Sequence, residues 1–255
     1  MSDFTPRSEE EAEFLKNYAP KEYPSIAYTA DMVIFTIVNG RLSILLIKRG
    51  GHPYKGCWAL PGGFVNYDEA SEDAASRELF EETGLGVDIS FLEQLKTYST
   101  PNRDPRMRFV STAYIAFIPY EELGKPIGGD DASDAHFFAV EDLFADDENI
   151  ELAFDHNVII RDGIERAQSK LEYTPLATRF LPETFTLSDL RRVYEAVWGT
   201  DLHVGNFRRK VLNTPDFVIP MGSKGGSTFG EGRTAELFTA GNTPLLHPAI
   251  LRATS

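Results

Sequence analysis

A single cysteine, Cys57, stands in 255 residues, which excludes an intramolecular disulfide and any zinc site built on several thiolates, and suits a reducing compartment. No apolar run approaches the length needed to cross a bilayer, so no membrane partner is expected. The opening residues, MSDFTPRSEEEAEF, are acidic where a signal peptide would be basic and then apolar, and a cytoplasmic protein is expected. Basic charge is also scarce: 25 Lys and Arg against 39 Asp and Glu give a net −14, which taken whole argues against a polyanionic partner. The imbalance is uneven. Residues 1–180 carry −15 and residues 181–255 carry +1, so an acidic part adjoins one whose clustered arginines can meet DNA. A composition of 42% hydrophobic and 25% charged residues fits one large or two modest globular domains.

The densest signal lies between Gly63 and Leu85, where Gly63, Glu69, Arg77, Glu78, Leu79, Glu81, Glu82, Gly84 and Leu85 hold fixed spacings. If Asp68 caps a helix ending at Gly84, then Glu78, Glu81 and Glu82 stand at i, i+3 and i+4 and project within about 100° of one another. Like charges so placed repel by a few tenths of a kcal/mol, so the cluster is best explained by a divalent cation, and hard oxygen ligands suit Mg²⁺ or Mn²⁺. A solvated face softened by Arg77 is the plainer reading of three acids. Nine specified positions, however, arise by chance at one start with probability of roughly 10⁻¹⁰. They match the Nudix box throughout, and the chain resembles the Nudix superfamily. The resemblance implies an α/β/α sandwich with a mixed sheet and a loop–helix–loop from Gly63 to Leu85. In that family pattern Glu78, Glu81 and Glu82 hold the metal against a diphosphate. Glu81 and Glu82 serve catalysis, Arg77 orients them, and Glu69 supports the site.

Elsewhere in the first half, residues 1–25 read as an arm with a short helix. Met32–Val38 and Leu42–Ile47 read as strands joined at Asn39-Gly40, the strongest short hairpin signal. Gly62 and Gly63 let the backbone approach a ligand. Strands are expected around Ile89–Leu95 and Phe109–Ile118. The loop between them sets Tyr98 beside Arg103, Arg106 and Arg108, charge for a pyrophosphate and a face for a base, or else a merely soluble hairpin. Pro101-Asn-Arg-Asp-Pro-Arg106, with Val110-Ser111 and Ala113-Tyr114, is similar to the ADP-ribose-handling branch of the superfamily. Asp131 and Asp134 could complete the acidic site, serve a general base or cap a loop. His156 is expected to cap or orient a helix over 157–171 that turns Val158, Ile159, Ile164, Ala167 and Leu171 to the sandwich. Thr174 before Pro175 marks a boundary.

From Phe185 the pattern changes. Thr186 with Asp189 reads as a capping box, Leu187, Leu190, Tyr194 and Val197 as a helix face, and Gly199 as its stop. A second helix, 203–213, buries Phe207, Val211, Val204 and Leu212 and turns His203, Asn206, Arg209, Lys210 and Asn213 outward. Strands over 217–220 and 233–239 then flank a flexible Gly-rich loop. This is a winged helix-turn-helix, a fold that serves DNA binding, dimerisation or protein docking. For DNA, the contacts would be His203, Asn206, Arg208, Arg209 and Lys210, with Lys224 on the wing. Phe185-Thr-Leu, Asn206-Phe-Arg-Arg-Lys and Gly232-Arg-x-Ala-x-Leu-Phe, joined to this Nudix branch, resemble the Nudix-related transcriptional regulators of NAD metabolism. The resemblance implies a homodimer that binds operator DNA and represses NAD biosynthesis or salvage genes, its Nudix pocket sensing NAD or ADP-ribose. The expected division is an arm (1–25), a Nudix domain (26–172), a winged-helix domain (173–240) and a tail (241–255). Two departures stand out: the box keeps every glutamate where many members have lost some, and Thr234 replaces a frequent proline. The intact box leaves a rival reading, a Mg²⁺-dependent ADP-ribose pyrophosphatase whose second domain only dimerises or docks.

Overall fold

The computed structural model describes residues 5–18, 25–86, 92–123, 132–145 and 150–252. In chain order the first half contains α1 (Glu9–Asn17), β1 (Ala27–Val38), β2 (Arg41–Arg49), β3 (Trp58–Ala59), β4 (Gly62–Phe64), α2 (Ser71–Thr83), β5 (Glu93–Tyr98), β6 (Phe109–Phe117), α3 (Tyr120–Leu123), β7 (Ala132–Ala139) and α4 (His156–Tyr173). The second half contains β8 (Phe185–Thr186), α5 (Leu187–Trp198), α6 (Val204–Asn213), β9 (Val218–Ser227) and β10 (Gly230–Ala240). Among the described residues no helix is long and apolar enough to cross a membrane.

Strand β1 organises the first half. Ala30 to Ile37 are buried without a break, as a strand covered on both faces requires. It runs parallel to β6 from Ala27 opposite Phe109 to Phe35 opposite Phe117. On its other edge it pairs twice: Phe35–Val38 with β2, across a turn in which Asn39 (φ 51°) and Gly40 (φ 77°) are both left-handed, and Thr29–Asp31 with β4. Strand β2 therefore diverges from β1 past Ile44 and takes β3 on that edge, while its opposite edge pairs with β7 from Ser43 to Arg49. The mixed sheet opens at this fork. Helix α2 covers one face through Ala74, Ala75 and Leu79 against Met32 and Ile34. Helix α4 covers the other through Ile159, Ile160 and Leu171, with Val33, Phe35 and Ile44 in the same core. Gly163 is needed there, since a Cβ would lie 3.1 Å from Val33 and 3.2 Å from Phe35.

Several expectations are corrected. Helix α2 starts at Ser71 and its N-cap is Ala70, which makes no side-chain cap; Asp68 does not cap it. Glu69 instead turns back on Asn66 N–H at 2.6 Å and on Arg77, and so fixes the chain before the helix. The expected strand at Ile89 is described only from Glu93, residues 87–91 lying outside the described set. Helix α1 forms with Ser8 as cap and buries none of its residues. Strands β3, β4 and β7 were not expected.

The winged helix is not a separate bead. Thr186 and Asp189 form the reciprocal capping box and Gly199 the left-handed stop of α5. The connector after Tyr173 is a 3₁₀ turn over Pro175–Phe180 in which Ala177 and Phe180 are buried. Phe180 packs on Phe117 of β6 at 5.3 Å between ring centroids. Gln168 of α4 donates to Val197 O at 3.0 Å, while Trp198 Nε1 donates to Gln168 O at 3.1 Å. The tail returns as well: Leu246 N donates to Tyr173 O and Ile250 N to Glu172 O, both at 2.8 Å. Val33, Ile160, Phe180, Leu190 and Phe238 thus belong to one apolar cluster. Urea unfolding is accordingly expected as one transition, and Phe180→Ala should lower stability by about 3–5 kcal/mol across the whole of it; a variant that shifts one of two separate steps would contradict a shared core.

Candidate functional site

Helix α2 carries the box glutamates, and Arg77 sorts them. Its Nε and Nη2 donate to Glu69 at 3.1 and 2.7 Å, its Nη1 to Glu78 at 2.8 Å and Glu81 at 3.0 Å, and its Nη2 also to Phe64 O at 3.0 Å. Arg77 holds the Glu69 carboxyl down to about 2, helped by the Asn66 amide. Glu78 is pushed up, chiefly by burial. Glu82 points the other way and is 8% exposed. It accepts the Gly62 amide at 2.9 Å. Burial, with the charges of Glu78 and Asp31, raises it to about 8. Gly62 is sterically required, since a Cβ there would sit 2.4 Å from Ala30 O; one on Gly63 would sit 2.3 Å from the Glu78 carboxyl carbon and force that side chain to move.

These groups open into a cleft of about 290 Å³ at the fork of the sheet. Gly63, Glu78, Glu82, Arg103 and Arg106 line it as expected from sequence. Arg103 is 6% exposed and bidentate to Asp155, at 2.6 and 3.0 Å. Arg106 pairs with Asp104 at 2.7 Å and lies 4.7 Å over the Phe109 ring. With Phe64 and Phe154 at the same cleft, cationic and aromatic surface stand together, suited to a diphosphate carrying a base. Tyr98 is a correction: its ring is buried in the α4-side core and its hydroxyl donates to Asp162 at 2.8 Å, away from the cleft. Arg108 does not line the cleft either; its Nη1 is buried without a hydrogen-bond partner. Asp134 caps its neighbour's amide, Ala135 N, at 2.9 Å and does not line the cleft; Asp131 lies outside the described residues.

Asp31 and His156 line the cleft without having been marked as site residues in the sequence. Asp31 is 6% exposed, accepts from the Ser111 hydroxyl and lies 3.9 Å from Arg103; its signal was one carboxylate within the run Ala30-Asp-Met-Val-Ile. His156 is the first residue of α4 and does not cap it. Its Nδ1 accepts the Leu60 amide at 2.9 Å, so the neutral ring carries its proton on Nε2. Burial lowers its pKa.

Among the described residues no three acidic, His or Cys side chains converge to hold a metal ion. Glu81 stands apart, half-exposed and tied to Arg77, so the expected triad is not preformed. The cleft still fits a hard cation: Glu78 and Glu82 both line it with raised proton affinity, and Mg²⁺ is commonly held by one or two carboxylates plus ligand phosphates.

The second surface is α6. His203 caps it, accepting Asn206 N–H at 3.3 Å. His203, Asn206, Arg208, Arg209 and Lys210 are all exposed. Arg209 donates to Asn206 at 3.4 Å, and Arg208 leans 3.7 Å from Glu236 of the wing. Only Phe207 and Val211 of this helix are buried. Val204 and Leu212 are 62% and 47% exposed, against expectation, because the helix meets α5 along one narrow i, i+4 edge. The wing is also longer than expected: β9 and β10 continue through the glycines, Glu236 opposite Lys224 and Ala235 opposite Gly225, leaving Thr228-Phe229 between them. A backbone ladder needs no side chains, and Gly225 makes room for Leu237. Lys224 is exposed on it.

Comparison with known families now bears on both surfaces. The NUDIX domain profile matches residues 27–162, and the profile described as the NrtR DNA-binding winged helix domain matches residues 177–240. The chain belongs to the Nudix superfamily, in its NrtR family. This NrtR-family chain is 35% identical over 206 residues to the ADPR responsive transcriptional repressor NtrR of Acinetobacter baylyi, covering 80% of this chain and 79% of that one. It is 42% identical over 148 residues to the ADP-ribose pyrophosphatase of Methanocaldococcus jannaschii, over 58% and 78% of the two chains. Shewanella oneidensis NrtR complexed with a 27mer DNA superposes with a TM-score of 0.70 at 33% identity, over 84% and 93% of the chains. The Nudix domain of the same protein complexed with ADP ribose superposes with a TM-score of 0.54 at 35% identity, over 61% and 97%.

In this NrtR-family chain the buried Glu82 links stability to pH. Folded, it holds its proton to about pH 8, whereas an ordinary glutamate releases it near 4.5. The native state then binds the extra proton between those limits, so the group's contribution is present below pH 4.5 and is lost as pH rises through 8. Glu82→Gln should flatten that decline in urea unfolding across the interval without Mg²⁺. An unchanged slope would show that Glu82 ionises normally.

Proposed function

We propose that this NrtR-family chain is a transcriptional repressor of genes for NAD biosynthesis or salvage, whose Nudix cleft senses ADP-ribose or NAD. The observation that carries it is the exposed Asn206, Arg209 and Lys210 face of α6 on the same continuous core as a diphosphate-sized cleft. Asn and Arg are the side chains that pair bidentately with adenine and guanine edges. The name of the Acinetobacter relative, ADPR responsive, supports ADP-ribose as effector. The working unit is a homodimer in the cytoplasm, reading two half-sites about one helical turn or a multiple apart. The boundaries 26–172 and 173–240 are supported by the two profile matches.

Helix α4 is the connecting rod. Asp155, at its start, holds Arg103 of the cleft, and Gln168, about 20 Å further along at 1.5 Å per residue, is bonded both ways to α5. A ligand that draws Arg103 to its phosphates alters what Asp155 balances. An effector can move operator affinity only by its preference between two states. A coupling of about 1–3 kcal/mol, or 5- to 150-fold, is expected, with operator DNA changing ADP-ribose affinity by the same factor.

The second reading is Mg²⁺-dependent hydrolysis of ADP-ribose to AMP and ribose 5-phosphate, favoured by the intact box and the archaeal pyrophosphatase relative. A bound Mg²⁺ or Mn²⁺ would supply charge neutralisation at the diphosphate. Glu78 and Glu82 would hold it, Arg77 would orient Glu78 and Glu81, and Arg106 would hold a phosphate oxygen. Both readings can hold in one molecule.

Gel shifts with promoters of NAD-synthesis genes, titrated with ADP-ribose, NAD, NADH and NMN in Mg²⁺, test the first reading. Arg106→Ala should abolish the nucleotide response and leave ligand-free binding near wild type. Arg209→Ala or Asn206→Ala should cost about 1–3 kcal/mol at the operator, while Lys224→Ala should weaken all sequences and reduce the salt slope by about one. A flat response to every nucleotide would refute sensing. Release of AMP that falls at least ~10²-fold in Glu82→Gln would establish the hydrolase; its absence in wild type would remove it.

A further inference from the structure

Glycines inside helices and strands usually have a reason within the chain. Gly62 and Gly63 leave space for backbone and Glu78, Gly163 for the sheet, Gly225 for Leu237, and Gly222 has φ +69°. Gly205 and Gly226 have no such reason. A Cβ on Gly205 would meet nothing nearer than the His203 ring, at 3.4 and 3.7 Å, which is ordinary van der Waals contact. Its φ is not left-handed, and it is exposed. A Cβ on Gly226 would meet nothing within 4 Å. The former lies on α6 and the latter on the wing strand β9, the two elements that face operator DNA in the function proposed above, on which this inference rests.

The position of Gly205 is the informative one. On the wheel it stands about 140° from the buried Phe207–Val211 edge and one turn before Arg209. It is therefore on the outward stripe of the reading helix, beside Asn206. A glycine here loses helix stability relative to alanine and gains nothing in packing. The compensating factor has to lie outside the chain. We infer that Gly205 is the point of closest approach between α6 and operator DNA, a positioning residue whose missing side chain lets the helix seat deeply enough for Asn206 and Arg209 to reach base edges. A methyl at this point would hold the helix off the groove floor and lengthen both contacts together.

The test uses the full-length chain and a duplex enriched by the wild type from random-sequence DNA. Gly205→Ala should fold with a melting temperature raised by about 1–3 °C and bind the duplex about tenfold or more weakly, as overpacking a tight contact does. Gly205→Val should bind more weakly still. Greater stability with weaker binding is the signature, since a glycine needed by the fold would lower both. Wild-type affinity in Gly205→Ala overturns the inference, and so does a loss of affinity that only tracks a lowered melting temperature. Enrichment of no duplex by the wild type would instead overturn the operator-binding reading, and this inference with it.

Discussion

Like charge crowded onto one face of α2 is the constraint from which the Nudix half is arranged. Three glutamates within five residues repel, and a fourth carboxylate, Asp31, approaches from the central strand. Arg77 answers part of this by bridging Glu69, Glu78 and Glu81. It cannot reach Glu82 as well, which turns inward to the Gly62 amide and retains its proton. Gly63 lies against the Glu78 carboxyl and Gly62 against Ala30 and Asp31 of the central strand, where a Cβ would come within 3 Å. Arg103 and Arg106 line the same cleft as Glu78 and Glu82.

The fork in the sheet supplies the room. Strand β1 needs partners on both edges, and no single strand serves its whole length on the outer one. Strand β2 takes its end, β4 takes its beginning, and the cleft lies where they part. Its other wall is the start of α4. Asp155 and His156 are thus held by cleft groups, Arg103 and the Leu60 amide, while the far end of the same helix is bonded into α5. One helix is thereby tied at its start to the cleft and at its far end to α5. The merged core explains why the connector and tail are buried where a free linker would be exposed.

Much was legible in the chain itself. The Asn39-Gly40 hairpin, the Gly84 stop, the Thr186–Asp189 box, the Gly199 stop and the two helices after Phe185 are where local pattern puts them, since each depends on residues within a few positions of one another. The glutamate spacing similarly marked α2 as a helix whose Glu78 and Glu82 line the cleft. These features determine which elements exist and what they carry. What lay beyond the sequence depends on partners distant along the chain. Asp31 reads as an interruption in an apolar strand until β4 and α2 close over it, and Tyr98 reads as a ligand face until Asp162 claims its hydroxyl. Val204 and Leu212 follow helical periodicity, yet the breadth of a buried face is set by the width of the neighbour, and α5 offers only enough for Phe207 and Val211. The Gly-rich wing looks like a loop because side chains say nothing there, and backbone pairing alone made it a ladder. Local patterns are short-range and therefore written in the sequence. Which carboxylate is buried, and which helix edge is left bare, were decided only when remote elements competed for the same space.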